Sequence, residues 1–154
     1  MISAYNYEFE IGKMVIVEEN SFITNIYFGE VIPENANIVE TQLIKKAYGQ
    51  LQEYFNGSRK MFNLPLAAQG TDFQRKVWNY LQYIPYGKTC SYKNVADGIG
   101  NKKASRAVGM ANNKNPILIV IPCHRVIGVN GSLVGYAGGL DVKKKLLNME
   151  KINV

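Results

Sequence analysis

Along the first thirty residues apolar and polar positions alternate, with Tyr5, Tyr7, Phe9 and Ile11 on one parity. A period of two puts such residues on one face of an extended chain. Turn residues at Gly12-Lys13 and Glu19-Asn20-Ser21 divide the segment into three short strands, so an antiparallel meander is predicted. After Pro33 the spacing lengthens to four: Val39, Leu43, Ala47, Leu51 and Phe55 recur as one face of a helix, with Gly57 placed to cap its end. That helix is expected to lie across the meander and bury its apolar side against it.

The run NLPLAAQG, residues 63–70, carries neither period, and it predicts a boundary between one domain over residues 1–66 and a second over residues 71–154. In the second, FQRKVWNYLQYI reads as a helix capped by Thr71 or Asp72, with Phe73, Val77, Trp78 and Leu81 facing inward and Pro85-Tyr86-Gly87 as its stop. Ser91 can cap a short helix through YKNVADGI, ending at Gly98 or Gly100, and Asn101-Lys102-Lys103 leads into a third, ASRAVGMANN. Two short helices joined by a tight Gly-containing turn read as helix-turn-helix. ILIVI, residues 117–121, is expected to be a short, buried, β-branched strand that ends at Pro122.

Charge sharpens this division. Residues 1–70 hold 5 Lys+Arg against 8 Asp+Glu, whereas residues 71–154 hold 13 against 4, so the formal charge of +6 belongs to the second half alone. A lopsided basic domain suits a polyanion, because each neutralised phosphate releases counterions; the plainer alternative is a solvated basic face. No stretch approaches the ~18–20 apolar residues of a membrane span. The start MISAYNYEFEIGK lacks the basic and apolar blocks of a signal peptide. The expectation is therefore a cytoplasmic chain, or a nuclear one if the source has a nucleus, with no membrane partner. Cys90 and Cys123, the two cysteines, lie 33 positions apart without CxxC spacing, which argues against a disulfide scaffold or a zinc site and for free thiols.

The third helix displays small residues, Ala104, Ser105, Ala107, Gly109 and Ala111, around one long cation, Arg106. Such a face either packs tightly in the core or lets the helix press into a narrow minor groove with Arg106 as its probe. Beyond it, IPCHRVIG sets Cys123 beside His124, the chain's one histidine. An ordinary thiol is only a few per cent thiolate at neutral pH, so a nucleophilic Cys123 needs a base and a positive neighbour, which His124 and Arg125 supply. In an extended segment His124 would point away from Cys123, so a turn at Pro122-Cys123 or relay through a water is required. A neutral His124 also needs an orienting acceptor among Asp72, Asp97, Asp141 and Glu150, with Asp141 and Glu150 favoured by their position downstream. Cys90 has no such setting and reads as a small buried hydrophobe.

The run NPILIVIPCHRVIG, followed by GYAGGL and KKKLLNME, closely resembles the O6-alkylguanine-DNA alkyltransferases, single-use repair proteins with a PCHR signature. The likeness extends upstream through TDFQRKVWNYLQYIPYGKTCSY and RAVGMANNKNP, and more weakly through LQEYFNGSRKMFNLPL. It implies an α/β (α+β) fold: a ribonuclease-H-like meander plus helix without nuclease chemistry, then a winged-helix-like helix-turn-helix domain that carries the active site. It implies that Cys123 accepts the alkyl group, that His124 is the base acting through water, and that Glu150 orients it. Tyr92 would stand beside the damaged nucleotide and donate to its ring, Arg106 would fill the gap in the base stack, and Asn115 would be the hinge between helix and active site. Ala104, Ser105, Ala107 and Gly109 would face DNA. Arg125, Val126, Tyr136, Ala137 and Gly138 would contact the substrate. The implied partner is double-stranded DNA containing O6-alkylguanine, bound by a monomer with cooperative loading left open, and no cofactor or metal is implied.

Two positions depart from some relatives. Ala137 replaces a serine, so a contact made by a hydroxyl would be lost and one made by the backbone kept. Leu118 replaces a second proline that narrows the active-site wall. The absence of Cys before Cys90 and of His before His124 predicts that the N-terminal zinc of some relatives is missing. Rival readings are a non-catalytic alkyltransferase-like protein, against which Cys123 argues, and a cysteine hydrolase, which leaves the basic half unexplained.

Overall fold

A computed structural model describes residues 1–154. The chain divides into two compact units, Met1–Gln69 and Gly70–Val154, and no helix is long and apolar enough to cross a membrane.

In the first unit β1 (Ile2–Phe9), β2 (Gly12–Glu19) and β3 (Phe22–Phe28) form the meander. Asn20 and Ser21 close the second hairpin with φ of 53° and 68°, the left-handed pair that matches strand twist in a two-residue turn. A fourth strand, β4 (Asn37–Ile38), lies parallel to β1 and gives the order β3-β2-β1-β4. At two residues it is too short to show a period. The segment without periodicity also finds a place: Ile23 donates to Pro65 at 2.8 Å and Ala67 donates back to Ile23 at 2.9 Å, so residues 65–67 run along the outer edge of β3.

α1 (Gln42–Phe55) starts at Thr41, whose hydroxyl accepts from the Ile44 amide. Its buried residues are Ile44, Ala47, Gln50, Leu51 and Tyr54, which corrects the predicted stripe of every fourth residue. Four residues advance a helix about 40° beyond a full turn, so such a stripe spirals off the buried face. Val39 accordingly lies outside the helix, 45% exposed, and Phe55 is only half-buried. Tyr7 of β1 stacks on Tyr48 at 3.9 Å, and Phe9 packs against Phe55 at 5.1 Å. On the opposite sheet face Ala4, Val15 and Val17 form a second buried cluster with Ile2, Tyr27, Ile32 and Ala36 around it. Both faces of β2 are therefore covered, which is why Met14 to Val17 is a continuous apolar run.

The second unit begins with α2 (Asp72–Leu81), where Thr71 and Gln74 make a capping box and Val77, Trp78 and Leu81 are buried, with Phe73 half-buried. Ser91 and Asn94 repeat the device at α3 (Tyr92–Gly98). α4 (Ser105–Asn113) follows after a turn through Gly100, at φ 78°. The indole N–H of Trp78 donates to the Ala111 carbonyl at 2.8 Å, tying α2 to α4. A parallel two-stranded ladder, β5 (Cys90–Ser91) with β6 (Val126–Ile127), and α5 (Leu140–Asn153) complete the unit.

Candidate active site

The residues before Cys123 are not the strand expected of ILIVI. Ile117–Ile121 is buried but folded on itself: Ile121 N–H donates to Ile117 O at 3.0 Å, and Ile119 has φ 73°. The side-chain amide of Asn115 stands in for a neighbouring strand, donating to Ile121 O at 2.7 Å and accepting from Ile117 N–H at 3.0 Å. A β-branched residue in the left-handed region costs on the order of 1–3 kcal/mol, and dense packing around Ile119, 1% exposed, holds it there. Burial and β-branching, which suggested a strand, are thus both present without extended backbone.

This loop delivers Cys123 into a single 3-10 turn, Cys123–Arg125. At three residues per turn adjacent side chains diverge by about 120° rather than 180°. Cys123, His124 and Arg125 are all buried, and the last two both turn onto α5. His124 Nε2 donates to Glu150 Oε2 at 2.6 Å. Arg125 grips the same carboxylate, Nε to Oε1 at 2.9 Å and Nη2 to Oε2 at 3.1 Å, and its Nη1 donates to Ile84 O at 2.8 Å. The Gly87 amide adds a further bond to Oε1 at 3.2 Å. The histidine's acidic partner is therefore Glu150; Asp141 is exposed in the first turn of α5.

Burial alone would raise the Glu150 carboxyl, but hydrogen bonds donated by His124 and Arg125, with the Arg125 charge, bring it to about 2. Burial lowers His124. Glu150 is thus an acceptor only, the Nε2 hydrogen is committed to it, and the neutral imidazole carries its lone pair on Nδ1. Burial also pushes the Cys123 thiol up to about 11, against the opposing pull of an Asn115 hydrogen bond and the Lys143 charge. In the resting protein the thiolate is therefore a minor species at neutral pH. Any reaction at this sulfur must move its proton.

The buried histidine has a measurable consequence. Below a pH of about 6.5 the unfolded chain takes up a proton that native His124 refuses, so stability falls as pH falls, by up to about 1.4 kcal/mol per pH unit. Denaturant melts between about pH 5 and 6.5 should show this slope, and His124→Gln should flatten it. With one histidine in the chain, a slope that survives the substitution would refute the assignment.

Other expected site residues divide into those gathered here and those set apart. Tyr92, at the start of α3, donates its hydroxyl to Val134 O at 2.9 Å, and burial raises it. Tyr136 stands edge-on to the His124 ring at 6.5 Å. Val126 is buried and its carbonyl accepts from Lys143. Arg106 and Ala107 are exposed on α4, with Ser105 and Gly109 half-buried beside them, and a Cβ on Gly109 would lie 3.8 Å from the Tyr92 ring. Ala137 is exposed and Gly138 half-buried on the loop before α5. Two expectations are corrected. Ala104 is only 9% exposed, turned inward as the N-cap of α4, and Arg125 has its guanidinium consumed inside the domain rather than offered to DNA.

Sequence reasoning missed Lys143 and Asn112. Lys143, fully buried, donates through Nζ to Val126 O at 2.7 Å, Val134 O at 2.9 Å and Gly135 O at 3.3 Å. Its run KKK resembles a solvated face, yet Lys143, Leu146 and Glu150 fall at i, i+3 and i+7, one helix face. Asn112 donates to Cys123 O at 3.2 Å and shares the buried face of α4 with Val108 and Ala111.

The ribonuclease-like domain model of 6-O-methylguanine DNA methyltransferase matches residues 4–68, and the DNA-binding domain model of the same family matches residues 72–152. A methylated-DNA–protein-cysteine methyltransferase of Methanosarcina acetivorans is 57% identical over 109 residues, 71% of this chain and 70% of its own. The constitutive one of Bacillus subtilis is 45% identical over 154 residues, 95% of this chain and 93% of its own. The crystal structure of Mycobacterium tuberculosis OGT in complex with DNA aligns at a TM-score of 0.92 with 41% identity, covering 99% of this chain and 94% of that one. With matches running in order through both units, the chain belongs to the 6-O-methylguanine DNA methyltransferase family.

Proposed function

We propose that the protein repairs DNA by transferring the alkyl group of O6-alkylguanine irreversibly to Cys123, with O4-alkylthymine open to the same attack. The observation that carries this reading is the 2.6 Å bond from His124 Nε2 to Glu150, which orients the imidazole in the same buried turn as the protonated Cys123 thiol. The thiol proton passes through a water to Nδ1. A bond forms between Sγ and the alkyl carbon as the carbon–O6 bond breaks, and the electron pair of the broken bond stays with guanine. Tyr92 supplies a proton to the guanine ring and recovers one through solvent from the imidazolium. For this its hydroxyl must exchange the Val134 carbonyl for the nucleotide.

The reacting atom lies inside a duplex, so the nucleotide has to be turned out, at a cost of a few kcal/mol. The exposed, small-residue surface of α4 suits close approach to a minor groove, with Arg106 filling the vacated space. Asn115, which closes the loop ahead of Cys123, is placed to act as the hinge. The thioether formed does not hydrolyse, so each molecule acts once. Incubation with excess methylated duplex should add one methyl group per molecule, at Cys123, by intact and peptide mass spectrometry. Repeated turnover, or a label on Cys90, would overturn the reading.

A further inference from the structure

The alkyl-transfer reading uses Glu150 to orient His124 but gives Arg125 nothing to do, although its side chain is only 7% exposed. We propose, resting on that reading, that Arg125 is a positioning residue: by gripping both oxygens of Glu150 it fixes the carboxylate and compensates its charge, so that His124 is oriented and stays a neutral base.

Glu150 receives donors on every side: Oε1 takes Arg125 Nε and the Gly87 amide, and Oε2 takes Arg125 Nη2 and His124 Nε2. Arg125 is itself immobilised by Ile84 O, at 2.8 Å, and lies over the Tyr86 ring at 5.6 Å. The carboxylate therefore cannot rotate away from His124 without breaking a bidentate pair, the strongest common hydrogen-bonded ion pair.

The charge of Arg125 acts in the same direction. A lone buried carboxylate against an imidazole favours the imidazolium, which cannot accept the thiol proton. The groups facing His124 are Glu150 and Lys143 from α5, Tyr136 from the preceding loop, and Cys123 and Arg125 from its own turn. Glu150 is the one carboxylate among them. Arg125 is the cation that contacts it, while Lys143 is spent on three backbone carbonyls. Lysine cannot replace this arginine without loss, since an ammonium offers no planar pair of donors.

The test exploits the single histidine of the chain. Imidazole NMR of tag-free protein reads the tautomer and charge of His124 without ambiguity. The wild type should be neutral with its proton on Nε2 at pH 7. Arg125→Gln should raise the His124 titration point by about one unit or more, which lowers the neutral fraction, and with it the single-turnover transfer rate, about threefold or more at pH 6 while costing less at pH 8.5. Arg125→Lys should shift it in the same direction by less, and that variant decides the matter if the glutamine variant does not fold. An unchanged titration point in a folded variant, or a rate loss equal at both pH values, would overturn the proposal. A wild type that takes no methyl group while its His124 titration still responds to Arg125 would refute the alkyl-transfer reading and leave this inference standing.

Discussion

Replacing Cys123 with serine should abolish alkyl transfer while leaving affinity for methylated duplex within a few-fold of wild type. The substitution is nearly isosteric in a site 2% exposed, so the fold should survive. The chemistry should not, because an alcohol is far less acidic than even this suppressed thiol and a weaker nucleophile toward carbon. Binding should persist because the proposed DNA surface, α4 with Arg106, does not include the sulfur. Single-turnover assays with labelled duplex, alongside binding titrations at several salt concentrations, measure both halves. Transfer by the serine variant would show that Cys123 is not the acceptor. Binding insensitive to salt would show that the basic half does not meet phosphates.

Cys90 is the internal control for that experiment. It is half-buried at β5 and its thiol is raised by burial. What separates the two sulfurs is long-range placement, and this marks where the sequence was informative and where it was not. The elements that carry their own punctuation were legible: the capping boxes at Thr71 and Ser91 and the Asn20-Ser21 turn are written in adjacent residues. The loop at 117–121 was not, because its shape depends on one side chain, Asn115, that bonds both of its ends. Nor was the fate of Arg125, since nothing within PCHR says that a carboxylate 25 residues later will claim its guanidinium. Lys143 was hidden among identical neighbours, and only the helical phase of α5 sets it apart. Family resemblance supplied Glu150 where spacing left Asp141 equally open.

The second large effect is expected at Glu150. Glu150→Leu strips Arg125 of its counter-ion inside the domain, and leaving such a charge uncompensated costs about 3–5 kcal/mol. For a chain of this size that is a fall in Tm on the order of 10 °C. The same change removes the acceptor that orients His124, so the transfer rate should drop by about 10²-fold or more. A rate loss in a destabilised variant invites the objection that the site has merely loosened. The double variant Glu150→Leu with Arg125→Met answers it, since exchanging both members of a buried ion pair for apolar residues is often close to neutral for stability. Thermal melts should therefore recover much of the lost stability, while single-turnover transfer stays as slow as in Glu150→Leu alone. If the rate returned with the stability, Glu150 would be a structural counter-ion to Arg125 and no part of the proton path from Cys123.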